Sequence, residues 1–417
     1  MNKDEIKKTI VSQQEFLMIK SPVLRSKMAI IQDYTETPFV IILSGIRRCG
    51  KSTVLQLIRK KSKNNFAINF DDNRLVNFKV EDFEKLYESF IELFGEENTF
   101  YFDEIQNIKG WEKFVRRLHN EGRKVYITGS NVHILSKETG TYLTGRNIQI
   151  ELFPFSFTEY LDFKGYKFEK NDLFSTVKTS LLKKEFLNYL TIGGFPEYLQ
   201  TQQTDFLKNL YDNILYKDIL ARYKIKNEAP LKELLYYLVS NISKEHSYNS
   251  LARTIGVANA LTVKEYISYF ENSYLLFTVN KFDYSLKKQL FNPKKIYVID
   301  NGLANSVSFS FTDNRGQQLE NLVYIQLRRT YKEIFYHKNK HECDFMVFEK
   351  GKALMAIQVS WSLNDKKTSN REIHGLIEAM ETHSLNTGQI ITYDEENEII
   401  LDSKTIQVIP VWKWLIL

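Results

Sequence analysis

The spacing of apolar residues divides the chain into short apolar runs and longer stretches of helical period. "PFVIILSG" (38–45) is an unbroken apolar run closing on Gly45, which suits a buried parallel strand feeding a loop. Behind it, "STVLQLIRKKS" carries apolar residues at helical spacing. The alternation continues through "NFAINF", a helix from Val80 to Phe94, "NTFYFDEI", a helix from Trp111 to Glu121, "KVYITGS" and "NIQIELF". Strands and helices taking turns in this way predict an α/β fold with a doubly wound parallel sheet and right-handed crossovers. This core is expected over residues 29–165, after a charged helical arm over 1–28.

Further along, a helical pattern from Leu173 to Tyr223 breaks at "IGGFPEY" (192–198), where paired glycines and Pro196 mark a turn. A helical lid is expected over 166–229. Three short helical stretches then precede "YLLFTV" and "NKFDYSLKKQLFNPKK", the order of a winged helix, placed over 230–287. Residues 288–417 return to strands and helices and read as a second α/β domain. No internal repeat stands out.

At 417 residues the chain exceeds what one hydrophobic core supports, and 43% apolar residues with 29 Phe and 24 Tyr describe folded domains. A net charge of +6 does not by itself demand a nucleic-acid partner. Two cysteines cannot build a disulfide framework, the opening "MNKDEIKKTIVSQQ" lacks the apolar core of a signal peptide, and no window approaches the roughly 20 apolar residues of a membrane span. A cytoplasmic protein without a membrane segment is expected.

The chemistry starts after the first strand. Gly45-Ile46-Arg47-Arg48-Cys49-Gly50-Lys51-Ser52, followed by Thr53, fits G-x-x-x-x-G-K-[ST]. In that pattern backbone amides cradle phosphates, Lys51 reaches the outer phosphates and Ser52 ligates magnesium, so ATP and Mg are the expected ligands. Cys49 reads as a spacer. Asp103 ends the strand "TFYFDE", where a carboxylate holds magnesium through its water, and Glu104 beside it suits a general base for attacking water. A strand and a helix separate loop from carboxylates, so the two strands need not be neighbours. That arrangement resembles the additional-strand class of P-loop ATPases, which includes the AAA proteins. The resemblance assigns a phosphate-sensing role to Ser130 and Asn131 in "YITGSN", with Thr128 a weaker candidate. Arg146 is a candidate for neutralising charge on the transferred phosphoryl group, within its own chain or in a neighbouring copy of a homo-oligomer; an ordinary surface arginine is the competing reading.

Six blocks, "SGIRRCGKST", "FYFDEIQ", "YITGSN", "LTGRNIQIELFPFSFTEYL", "GGFPEYL" and "KIYVIDNGL", occur in an order that resembles the AAA-type ATPases of bacteria and archaea carrying a carboxyl-terminal domain of unknown function. The resemblance runs from about residue 36 to about 405 and implies ATP binding on the amino-terminal core. It supplies no substrate.

In the carboxyl-terminal part, Glu320 on a helix, Asp344 on one strand and "AIQVS" on the next have the layout of a restriction-endonuclease-like fold. Glu320 and Asp344 match that fold's acids, whereas Gln358 replaces the second strand acid and Ser360 the lysine, a set poorly suited to a divalent ion. A catalytically incomplete domain is expected, although Lys338 or Lys340 could reach in. His337, His341 and Cys343 lack a fourth neighbour for a structural zinc site. Lys281, Lys287, Lys288, Lys294 and Lys295, interleaved with aromatics, could grip nucleic-acid phosphates without reading sequence, or form a solvated hairpin edge. The leading expectation is an ATP-hydrolysing switch or slow motor that repositions its other domains, with a protein partner left open. A nucleotide-gated DNA or RNA binder is the alternative, and an ATP-dependent nuclease ranks last.

Overall fold

In a computed structural model of the chain, residues 1–15, 22–62, 66–130, 143–203, 205–308 and 314–416 are described. They form two compact units, the first made of Met1–Pro154 with Asn272–Tyr274 and the second of Phe155–Glu271 with Leu275–Leu417.

The first unit contains α1 (Lys3–Glu15), α2 (Met28–Asp33), β1 (Val40–Ser44), α3 (Lys51–Ser62), β2 (Ala67–Asn69), α4 (Phe83–Phe94), β3 (Thr99–Asp103), α5 (Trp111–Asn120), β4 (Lys124–Gly129) and β5 (Asn147–Glu151). The strands are all parallel in the order β2-β3-β4-β1-β5. β4 therefore lies between the loop-bearing β1 and the carboxylate-bearing β3. Every residue of β1 is buried, as a central strand covered on both faces requires. One side of the sheet packs on a phenylalanine cluster in which Phe66 stacks on Phe90 and Phe83 on Phe114, with centroids 4.9 and 4.5 Å apart. Each such ring contributes about 1.5–3 kcal/mol by leaving water.

The charged arm is part of this unit. Ile6 and Ile10 of α1 are fully buried in the same core. Gln13 pairs with the open edge of β2, donating to the Asn69 carbonyl at 3.0 Å and accepting the Asn69 amide at 2.8 Å. Those backbone groups would otherwise be an unpaired strand edge.

In the second unit the helices α6 (Phe157–Phe163), α7 (Thr176–Ile192), α8 (Pro196–Thr201) and α9 (Phe206–Asn213) come first, the last running on through a π-helical stretch, Ile214–Leu220. There follow α10 (Ala229–Ser240), β6 (Glu245–His246), α11 (Tyr248–Thr254), α12 (Ala260–Asn272), β7 (Leu276–Lys281), α13 (Leu286–Phe291), β8 (Lys294–Val298), α14 (Asn301–Val307) and α15 (Arg315–Arg328). The chain closes with β9 (Glu333–Lys338), β10 (Glu342–Glu349), β11 (Lys352–Val359), α16 (Lys366–Thr382), β12 (Thr387–Thr392), β13 (Asn397–Leu401), β14 (Lys404–Pro410) and α17 (Val411–Trp414).

The nine strands form one sheet, β13-β14-β12-β11-β10-β9-β7-β8-β6. The sheet is continuous across the border expected between 287 and 288. β8, which closes a hairpin with β7, lies beyond it, and the border itself falls inside α13. β7 continues the sheet by pairing in parallel with β9, Asn280 opposite Phe335. Strand pairing, not the lysine-rich composition of 281–295, sets the continuity here.

Two of the six sequence blocks meet in this unit. Asp300 caps α14 by accepting the Leu303 amide at 3.0 Å, and its other oxygen accepts the Gly194 amide at 2.7 Å. Gly193, at φ +74°, has no room for a side chain: a Cβ there would stand 2.0 Å from Asp300 Oδ1.

Candidate functional site

At the end of β1 the chain turns into the phosphate loop. Gly45, at φ +149°, is required there because a Cβ would lie 2.1 Å from the Leu152 carbonyl oxygen. The loop crosses the left-handed region again at Arg48 and Gly50, φ +67° and +100°, before α3 starts at Lys51. That helix points its amino end, the positive pole of its dipole, back at the loop. Ile46 and Cys49 are fully buried, so the loop is anchored by its own side chains, and burial pushes the Cys49 thiol up, away from reactivity.

Lys51 is 4% exposed, and its ammonium donates to the carbonyls of Gly45 at 3.2 Å and Ile46 at 3.1 Å. Its nearest carboxylate is Glu104, whose Oε1 is 3.7 Å away. Ser52 Oγ donates to Asp103 Oδ1 at 3.0 Å, and Thr128 Oγ1 donates to the same oxygen at 2.5 Å while accepting the Glu104 amide at 2.9 Å. Glu104 sits at φ +50°, a strain of about 1–3 kcal/mol held by these bonds and by Gln106, which donates to Glu104 Oε2. Burial, reinforced by Glu104, raises the Asp103 carboxyl to about 6 against the pull of the Thr128 and Ser52 hydroxyls. A cavity of about 330 Å³ opens on the Ser52 and Asp103 side, walled by Gln13, Arg59, Asn69 and Tyr101 among others.

These neighbours fit a magnesium-bound polyphosphate. A hydroxyl and a carboxylate make a hard oxygen pair of the kind Mg²⁺ takes, and Asp103 is short of positive charge. Ser130 Oγ is buried and has no partner among the described residues.

Lys51, Ser52, Asp103, Glu104 and Thr128 thus come together, with Ser130 following the strand that carries Thr128. Asn131 lies outside the described residues. Arg146 does not join them. Its carbonyl accepts the Val40 amide at 2.9 Å, and β5 starts opposite Val40 at Asn147, whereas the loop begins beyond Ser44, opposite Glu151. At about 3.3 Å per residue, Arg146 is roughly 15 Å from the loop, at the other end of the sheet. This register counts against a role at the loop of its own chain and leaves the neighbouring-copy and surface-arginine readings of Arg146 standing.

Arg25 was missed. It is 5% exposed, and its guanidinium donates to the Cys49 carbonyl at 2.8 Å and the Phe153 carbonyl at 2.5 Å, bracing the loop against the chain after β5. It stands alone in a charged segment with no local signal. Ser44, just before the loop, accepts from Tyr274 at 2.8 Å and from Gln149 at 2.9 Å.

The second unit brings Glu320, Asp344 and Gln358 together around a residue assigned elsewhere, Lys295. Lys295 is 2% exposed, and its ammonium lies 3.0 Å from Glu320 Oε1, 2.7 Å from Glu342 Oε1 and 2.8 Å from Asp344 Oδ1. Burial opposes its charge, yet Asp344, Glu320 and Glu342 hold Lys295 well above the usual lysine range. Burial and Asp344 push Glu320 up to about 7. Gln358 accepts the Asp344 amide at 3.0 Å and donates to Glu372. Ser360 stands apart, donating to the Ser362 carbonyl at 3.0 Å. Lys338 bridges Glu245 and the outer oxygen of Glu342, so it touches the rim of the cluster, while the Lys340 amide binds Glu378. His337 faces Glu378 at 3.1 Å, and Cys343 is buried in the core.

The wing also differs from its expected form. Lys294 donates to the carbonyls of Leu290 at 3.2 Å and Asn292 at 2.8 Å as well as Gln289, so it caps α13; with Lys295 caged, both are withdrawn from solvent. Lys287 and Lys288 remain exposed, beside Tyr284 at 83% and Phe291 at 80% exposure.

A parallel sheet in this order, with a phosphate loop after β1 and an acidic pair after β3, defines a P-loop ATPase of the AAA type. An AAA domain matches residues 37–161, a domain of unknown function (DUF8612) residues 183–314, and a second (DUF4143) residues 315–414. An uncharacterised protein of Methanocaldococcus jannaschii is 36% identical over 89% of this chain and 87% of its own, and one of Haemophilus influenzae 28% identical over 92% and 96%. The chain belongs to this family of AAA-domain ATPases with carboxyl-terminal domains of unknown function. Among solved structures, the Walker-type ATPase PABY2304 of Pyrococcus abyssi is similar at 14% identity and a TM-score of 0.44, covering 70% of this chain and 99% of its own.

Proposed function

We propose that the chain binds ATP with magnesium at the Gly45–Thr53 loop and hydrolyses it, using the cycle as a nucleotide-driven switch or slow motor for its second unit. The observation that carries this reading is the convergence of Ser52 and Thr128 on one buried carboxylate, Asp103, with Thr128 also holding the Glu104 amide and Lys51 lying beside the Glu104 carboxylate. Loop amides and Lys51 would hold the phosphates. Ser52 and Asp103 would hold the magnesium ion, which when bound neutralises phosphate charge. Glu104 would orient the attacking water and take its proton as the new oxygen–phosphorus bond forms and the bond to the leaving diphosphate breaks. The Lys51–Glu104 approach is then a resting contact, released as the ammonium turns to phosphate. Ser130 would report on the outer phosphate.

Steady-state ATPase measurements test this. Glu104→Gln should lose about 10²–10⁴-fold in kcat while still binding ATP, and Lys51→Ala should lose binding. Unaltered hydrolysis in both variants would refute the assignment.

A second reading, nucleic-acid binding gated by nucleotide, is favoured by one observation, the exposed Tyr284 and Phe291 flanking Lys287 and Lys288. Aromatic faces with adjacent lysines suit single-stranded bases and phosphates. A salt-dependent gel shift that weakens in Lys287→Glu with Lys288→Glu would support it, and the absence of any shift at low salt would remove it.

A further inference from the structure

Three carboxylates from two elements aim at one point in the second unit: Glu320 from α15, and Glu342 and Asp344 from β10. Such convergence of hard oxygens is how proteins hold divalent cations. The point is filled by Lys295 from β8, with three oxygens 2.7 to 3.0 Å from its nitrogen. All three donor directions of the ammonium are thereby used.

The surrounding bonds fix this arrangement. Asp344 gives its second oxygen to the Val359 amide at 3.0 Å, and Tyr297 donates to Glu320 Oε1 at 2.7 Å. Gln358, placed where a further acid would complete a metal site, instead spans from the Asp344 amide to Glu372, itself paired with Arg371. Among the described residues, no group of three or more His, Cys, Asp and Glu is disposed to hold a metal. The carboxylates are spread around an ammonium, and a calcium-sized ion, with oxygens at about 2.3–2.6 Å, would draw them inward by about half an ångström.

We propose that this cluster is a cation site permanently filled by the protein's own Lys295, so that it takes no divalent ion in the native chain and becomes a divalent-ion site when that ammonium is removed. Lys295 thereby stands in for a metal and ties β8 to α15 and β10. A buried ammonium with three carboxylates is costly to break from either side, which keeps the site closed.

Manganese titration followed by electron paramagnetic resonance tests the idea on the full chain, in an Asp103→Asn background that weakens the phosphate-loop metal site. With Lys295 intact, no saturable manganese binding should depend on Asp344. Lys295→Ala should gain one such site, lost again on adding Asp344→Asn, and its melting temperature should rise with manganese. Lys295→Met, which keeps the buried volume, serves if the alanine variant does not fold. Asp344-dependent binding with Lys295 present, or a folded Lys295 variant that gains no manganese, overturns the proposal. Amine acetylation of the unmutated protein gives an independent reading: Lys295 should stay unmodified while Lys287 and Lys288 react, and equal reactivity overturns the cage.

Discussion

Thr128 Oγ1 stands 2.5 Å from Asp103 Oδ1 and also accepts the amide of Glu104, so one hydroxyl on β4 fixes both members of the acidic pair at the end of β3. This is possible because β4 and β3 are neighbours in parallel register, Ile127 opposite Phe102. The backbone position of Glu104 at the end of β3 is thus held from β4.

Thr128→Val keeps the shape of the side chain and removes both bonds. We expect kcat to fall about 10- to 100-fold, the usual loss when a partner orienting a site residue is removed, with the KM for ATP nearly unchanged. Stability should fall by about 1–3 kcal/mol, since the Glu104 amide loses its acceptor. Thr128→Ser should restore most of the activity. A Thr128→Val enzyme with wild-type kcat would show that Glu104 needs no such anchor.

The raised Asp103 pKa gives a pH dependence with a defined sign. An unfolded aspartate titrates near about 3.9, and the folded group near about 6, so the folded chain holds this proton more tightly. Its contribution to stability is complete below about pH 4 and is lost as pH rises through about 6, roughly 3 kcal/mol in all. Nucleotide-free Asp103→Asn, which does not titrate, should therefore become progressively more stable than wild type between pH 4 and 7, and the gap should level off above that. Urea unfolding across this range measures it. Magnesium with nucleotide should flatten the wild-type profile, because a bound cation stabilises the carboxylate.

How far the fold can be read from the chain depends on where each residue's partner lies. β1, β3 and β4 are buried on both faces and show as apolar runs, and the phosphate loop is a local pattern whose geometry follows from Gly45, Gly50 and Lys51. Residues whose meaning is set by distant partners were misread. Lys295 looks like a solvated wing lysine until α15 and β10 bring Glu320 and Asp344 to it, from 25 and 49 positions away. Lys294 serves the carbonyls at the end of α13, a helix hidden in a stretch that reads as a basic hairpin. For Arg146 the choice between its own loop and a neighbouring copy depends on register, and the pairing of β5 with β1 carries it to the end of the sheet away from its own loop.

The meeting of the two glycine-bearing blocks can be tested by stability alone. Gly193→Ala would put a methyl group 2.0 Å from Asp300 Oδ1 at a backbone angle unfavourable to alanine, and would disturb the bond from the Gly194 amide. A loss of about 3 kcal/mol is expected from the strain and the weakened bond to a buried carboxylate. Chemical denaturation of the full chain, following a probe in the second unit, reads this directly. A neutral outcome would mean that Asp300 can leave its place without cost.

Arg25 offers the sharpest test of what holds the phosphate loop. Its guanidinium bonds the carbonyls of Cys49 and Phe153, one inside the loop and one on the chain leaving β5, so the loop is pinned from behind. Hydrogen bonds from a charged donor contribute about 1.5–3 kcal/mol each, and a lysine cannot reproduce the planar fork that serves two carbonyls at once. Arg25→Lys should therefore behave much like Arg25→Met, both weakening ATP-analogue binding by about tenfold or more while leaving the relative kcat effect of Glu104→Gln unchanged. Calorimetric titration with a non-hydrolysable analogue measures the first part and steady-state kinetics the second. Wild-type affinity in Arg25→Met would show that the loop keeps its shape from Gly45, Ile46 and Cys49 alone.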